Sequence, residues 1–123
     1  MAILKSLASF ISTRSSALVA TCVFTLWDMR LESQREYIAS LPAASPLLAE
    51  AQADEAMANT VVSFNGSVIE NYPGYRESCQ RYVDFLIASK EVSDRKSSIE
   101  LVPAKESSLL GAAVASACVV RDV

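Results

Sequence analysis

The chain has 123 residues, room for one domain or a piece of one and too few for two separate cores. Apolar residues make up 51% and charged residues 20%, which excludes a disordered chain, and a net charge of -3 without a dense basic run excludes a surface that tracks a phosphate backbone. Histidine is absent and there are 3 glycines, so Ser-His and Cys-His nucleophile pairs, the usual zinc sets, a Walker loop and a GxGxxG loop cannot be written.

From Ile3 to about Glu36 apolar residues recur at helical intervals without proline or glycine, which predicts one long helix or two abutting ones. Residues 1–27 hold no acid, carry Lys5 and Arg14 and are rich in serine. That is the composition of a mitochondrial presequence, and it competes with an ordinary buried helix. Arg14 and the Ser12–Ser16 cluster interrupt the apolar run, and Ala17–Trp27 is too short for roughly 30 Å of hydrocarbon, so no membrane span is expected. Leu41–Asn59 holds Pro42 and Pro46 and an Ala/Glu-rich stretch, which reads as a linker with one short helix.

Thr60–Phe64 and Ser67–Ile69 are short β-prone runs joined by Asn65-Gly66, the dipeptide of a type I′ turn, which predicts a tight hairpin. Pro73 suits the first turn of a helix running to about Ser89, with Tyr75, Cys79, Tyr82 and Leu86 on its apolar face. Lys90–Ser98 is a polar connection, Ile99–Pro103 alternates as a strand, and Ser107-Ser108 predicts the N-cap of a final helix through Ala117. The expected order is a long helix over 1–38, a linker over 39–59 and β-β-α-β-α over 60–123. The three cysteines, Cys22, Cys79 and Cys118, are odd in number and sit in apolar helical stretches, which points to reduced thiols and a cytoplasmic chain.

Three segments resemble the C-terminal part of the eukaryotic hexokinase family. Ser12-Thr13-Arg14 is similar to the family's STR-A-A helix motif. Asn65-Gly66-Ser67-Val68-Ile69-Glu70-Asn71-Tyr72-Pro73-Gly74-Tyr75-Arg76-Glu77 resembles its DGSVY-x-x-YPGF-K-E segment, and Val102-Pro103-Ala104 with Ser108 and Gly111-Ala112-Ala113 resembles its VPAEDGSGxGAA turn. The middle segment is the specific one.

The resemblance implies an α/β fold, part of an actin-like ATPase (ribonuclease H-like) lobe. It further implies that ATP with magnesium and a hexose bind in a cleft of the full-length parent, where an aspartate base accepts the sugar's 6-hydroxyl proton. The family's phosphate loops, sugar-binding segments and catalytic aspartate lie upstream of the segments matched here, so this chain is expected to supply no catalytic residue and no metal ligand. Phosphoryl transfer works mostly by positioning and charge stabilisation, so a chain without those loops is expected to be inactive alone.

What carries over is the adenosine end, Gly66 and Ser67, with Asn65, Ser108 and Gly111 as secondary positions. A glycine lets a backbone approach a flat base, and a hydroxyl satisfies a ribose or phosphate oxygen. Asn65 replaces the acid of DGS, and Ser107, Leu109 and Leu110 replace two glycines and a variable residue of GSGxG. These departures resemble the non-catalytic, regulatory hexokinase-like proteins of filamentous fungi. The same residues have plainer readings: Asn65-Gly66-Ser67 as a turn, Ser107-Ser108 as a cap, Arg14 as a snorkelling or paired side chain, and Asp84, Glu91 and Asp94 as a solvated face. Trp27 and Phe64 are expected in the core. With so few strands, sheet faces and edges are expected to be uncovered, and the isolated chain to self-associate, to need a missing lobe, or to be molten.

Overall fold

The computed structural model describes residues 1–56, 59–90, 97–104 and 107–120. The proline- and glycine-free N-terminal stretch forms one uninterrupted helix, α1 (Ala2–Ser40). It ends where Leu41, the residue before Pro42, adopts extended dihedrals of φ -76° and ψ 137°, as the steric demand of a following proline requires. A short helix α2 (Pro46–Ala56) follows. Pro46 sits at its first position, where no N–H is needed, and the Ser45 hydroxyl accepts the Leu47 N–H at 3.3 Å. Arg35 of α1 and Glu55 of α2 form an ion pair at 3.5 Å.

Strand β1 (Asn59–Phe64) pairs in parallel with β2 (Ser98–Pro103), in a register that sets Thr60 beside Ile99 and Val62 beside Leu101. Between them run α3 (Ser67–Asn71) and α4 (Tyr75–Lys90), and α5 (Ser107–Val120) closes the described chain. The unit is therefore a β-α-α-β crossover, since parallel strands need a long connection.

The hairpin expected at Asn65-Gly66 does not form. Ser67–Ile69 enters α3 and not a second strand, and Gly66 has φ 152° and ψ 139°, far from the left-handed pair of a type I′ turn. Two local causes act together. The Glu70 carboxylate accepts the Gly66 N–H at 3.0 Å, which supports a helical turn, and the inner edge of β1 is taken by β2, with the Ala104 N–H reaching the Phe64 carbonyl at 2.8 Å.

One face of the sheet carries the core. Ala20 and Trp27 of α1, Val83 and Ile87 of α4 and Ile99 of β2 form one buried cluster; Tyr75, Cys79 and Leu101 form a second, and Val23 and Val62 pack against both. Full burial of an aliphatic side chain such as Val83 or Ile99 contributes about 1.5–3 kcal/mol. The buried stripe of α4 is Tyr75, Cys79, Val83 and Ile87, one residue on from the expected Tyr82 and Leu86, which are half-buried. A steady spacing of four drifts slowly around a 3.6-residue helix, and this stripe packs against α1 and β2. Trp27 lies in the core as expected and its indole N–H donates to the Thr60 hydroxyl at 3.3 Å. Phe64 is half-buried under the Arg76 guanidinium, 5.6 Å from the ring centre.

The sheet's outer edge on β2 is not bare. The Gln80 side-chain amide donates to the Ile99 carbonyl at 2.7 Å and accepts the Leu101 N–H at 3.0 Å, and Arg76 donates to the Leu101 carbonyl at 2.8 Å. Helix α4 thus supplies the hydrogen bonds a third strand would make. The opposite sheet face stays open, with Val61, Ser63, Ser98 and Glu100 exposed.

Ser107 and Ser108 are the first two residues of α5, not residues ahead of it. Of the acids expected on a solvated face, Asp84 is exposed and accepts from Gln80 at 2.8 Å, while Glu91 and Asp94 lie outside the described residues. Most of the polar connection expected over Lys90–Ser98 lies outside them too. Helix α1 is long and apolar enough to cross a membrane by length and composition, with a mean hydropathy of 1.4 in its most apolar window. It also presents Ser16, Ala20 and Trp27 to the body of the protein.

Candidate functional site

Ligands of open parallel sheets bind beyond the carboxyl ends of the strands, where loops leave room for a group to approach the backbone. Here both carboxyl ends, Phe64 and Pro103, border a cleft of about 440 Å³ that is also lined by Glu70, Tyr72, Arg76 and Glu77. The Asn65-Gly66-Ser67 turn leaves β1 at this end. The Asn65 amide donates to the Ala104 carbonyl at 3.4 Å, tying the turn to the segment that follows β2.

The turn has its own logic. Gly66 at φ 152° holds a conformation that residues with a Cβ rarely adopt. A Cβ there would meet only the Ile69 methyl at 3.7 Å, so the glycine is required by backbone shape and not by crowding. Its N–H points to Glu70, so a ligand seeking that donor competes with a carboxylate already in place. Beyond the turn, Tyr72 and Tyr75 meet edge-on at 6.3 Å, and the Tyr75 and Ser15 hydroxyls are 2.6 Å apart, which fixes the YPG segment against α1. Gly74, at φ 74°, makes the left-handed bend that starts α4.

Of the positions expected at the site, Asn65, Gly66 and Ser67 are contiguous at the end of β1. Ser108 and Gly111 are carried on α5, and a Cβ at Gly111 would meet nothing within 4 Å. Leu109 and Leu110 are 72% and 66% exposed, so neither is taken up by the core. Among the described residues no group of three or more Cys, Asp or Glu side chains could hold a metal ion. Burial pushes the Cys79 thiol up from its ordinary value, with a main-chain hydrogen bond opposing it. This cysteine packs under β2 and is not at the cleft.

The family model described as hexokinase matches residues 1–118. The chain belongs to the hexokinase family. No curated protein and no solved structure matches it. The family is one of sugar kinases of carbohydrate metabolism that bind ATP and hexose, and among the described residues the match runs from α1 into α5. An α-rich α/β arrangement with a two-stranded parallel sheet is compatible with that family's actin-like fold.

Two contributors were missed in the sequence. Glu70, four residues after Gly66, carried a readable signal, because an acid spaced that way can reach back to cap a turn. Gln80 carried none, since its partners Ile99 and Leu101 are brought to it only by the crossover.

Proposed function

We propose that this chain is the C-terminal segment of a hexokinase-type sugar kinase. Its part in the full-length parent is to hold the adenosine end of ATP, with magnesium, while the hexose and the catalytic aspartate are held by other segments. The observation that carries this reading is the Asn65-Gly66-Ser67 turn at the carboxyl end of a parallel strand, joined to Ala104 after the neighbouring strand. Within the turn, Ser67 offers a hydroxyl to ribose or phosphate oxygens, while the Asn65 amide holds the turn to Ala104. The chain supplies no base for the sugar hydroxyl, so transfer waits on the rest of the parent. A reduced cytoplasmic setting fits three free cysteines, one buried and two exposed.

A second reading, a non-catalytic regulatory module of atypical fungal type, is favoured by specific observations. Leu109 and Leu110 stand exposed in the first turn of α5 where the family pattern is glycine-rich, and Glu70 occupies the Gly66 N–H.

Titration of the chain with magnesium ATP, ADP and glucose, beside a coupled glucose-phosphorylation assay, separates the readings. The first expects nucleotide binding weakened by Ser67→Ala, no glucose binding and no turnover. Absence of nucleotide binding by the chain, with some gained in Glu70→Ala as the Gly66 N–H is vacated, supports the regulatory module. Glucose phosphorylation by the isolated chain refutes both.

A further inference from the structure

Three asparagines occur in the chain, Asn59, Asn65 and Asn71, and only Asn65 precedes a glycine. An asparagine side chain loses its amide when the next main-chain nitrogen attacks the side-chain carbonyl carbon. Crowding at that nitrogen and the proton it carries hold the reaction back. Both are relieved at Gly66. Without a Cβ the approach to its nitrogen is open, and the nearest atom to the place a Cβ would take is an Ile69 methyl at 3.7 Å. Its N–H is donated to the Glu70 carboxylate at 3.0 Å, so a base already touches the proton that must leave.

The other two asparagines lack this arrangement. After Asn71, the Tyr72 N–H donates to the Val68 carbonyl at 2.9 Å, an acceptor that takes up no proton. Asn59 precedes the β-branched Thr60 within β1, and its side-chain oxygen accepts the Ser98 hydroxyl at 2.8 Å.

We propose that Asn65 is a self-modification site, converted to an acid by attack of the Gly66 nitrogen with Glu70 as the base. Glu70 takes the Gly66 amide proton as the nitrogen bonds to Asn65 Cγ. The Cγ–Nδ2 bond breaks and the proton leaves with Nδ2 as ammonia, which returns Glu70 to its carboxylate form and leaves a cyclic imide. Asn65 is exposed, so water reaches the imide and opens it. Opening at Cγ gives aspartate with the main chain unchanged, and opening at the main-chain carbonyl gives isoaspartate. Water is consumed and ammonia released in equal amount, with no oxidant or reductant. The aspartate product makes the turn read Asp-Gly-Ser, the form of the family segment that this turn resembles. It adds a negative charge to the turn and removes the amide donor that ties it to the Ala104 carbonyl at 3.4 Å.

Peptide mapping by mass spectrometry of the whole chain, held at neutral pH and sampled over days, tests this. Asn65 is expected to convert, read as a mass gain of about one unit with release of ammonia, while Asn59 and Asn71 stay intact. Glu70→Gln keeps an acceptor for the Gly66 N–H but supplies no base, and is expected to slow the conversion about tenfold or more. Circular dichroism matching the parent establishes that the variant is folded. The parent chain in urea, where Glu70 is no longer held on Gly66, gives a second comparison that needs no variant, and its conversion is expected to be slower than that of the native chain. Asn65 left intact in the native chain, native conversion no faster than in urea, or conversion indifferent to Glu70→Gln overturns the inference.

Discussion

Replacing Gln80 by leucine tests how the sheet survives with only two strands. The Gln80 amide closes the outer edge of β2 through the Ile99 carbonyl at 2.7 Å and the Leu101 N–H at 3.0 Å, both part-buried. Leucine keeps the volume and removes both bonds, leaving a donor and an acceptor of the strand without their partner. Each buried group so orphaned costs about 1–3 kcal/mol, and the solvent that reaches this edge keeps the sum toward the low end, about 2–4 kcal/mol. Trp27 is the only tryptophan and lies in the core, so its fluorescence during urea unfolding reports the loss directly. A midpoint shift at constant slope gives the free-energy change, and the Leu101 amide should exchange its hydrogen much faster. Gln80→Glu should be at least as harmful, because it turns the donor facing the Ile99 carbonyl into an acceptor. If Gln80→Leu stays within about 0.5 kcal/mol of the parent, the range of an ordinary surface change, the amide is not what closes this edge.

Gly74 and Gly111 both have open space where a Cβ would go, so alanine there isolates backbone preference. Gly74→Ala, at φ 74°, should lower stability by about 1–2 kcal/mol, and Gly111→Ala, inside α5, should raise helix stability by about 0.5–1 kcal/mol, both read by urea midpoints. Val83→Ala removes two methyl groups from a fully buried site between α1 and β2 and should cost about 2 kcal/mol, whereas Val114→Ala on exposed α5 should change little. Cys22 and Cys118 should react promptly with a thiol reagent, and Cys79 only as fast as the protein opens. Because burial raises the folded-state value of Cys79, its neutral thiol favours the native state fully below about pH 8.5, the unfolded value, and that contribution is lost as pH rises toward the raised folded value. Cys79→Ala should flatten this alkaline decline in stability.

Helix positions and family likeness were largely legible in the sequence, because they depend on neighbours along the chain. The absence of proline and glycine dictates α1, and Pro42 after Leu41 dictates its end. Ile99–Pro103 reads as a strand from alternation alone, and the segment from Asn65 to Glu77 carries the family likeness without any geometry. What Asn65-Gly66 does was not legible. As a dipeptide it favours a hairpin, yet the competing offer came from Pro103 and its neighbours, 38 residues after Asn65, which pair with β1 in parallel and leave Ser67–Asn71 free to coil against the Glu70 cap. The choice of Val83 and Ile87 over Tyr82 and Leu86 was decided likewise, by Ala20, Trp27 and Ile99 packing against that side of α4, and the role of Gln80 by the strand laid beside it. Local stereochemistry is written residue by residue. Pairing between distant segments depends on which partner fills a strand edge first, and that is settled only when the chain is closed in three dimensions.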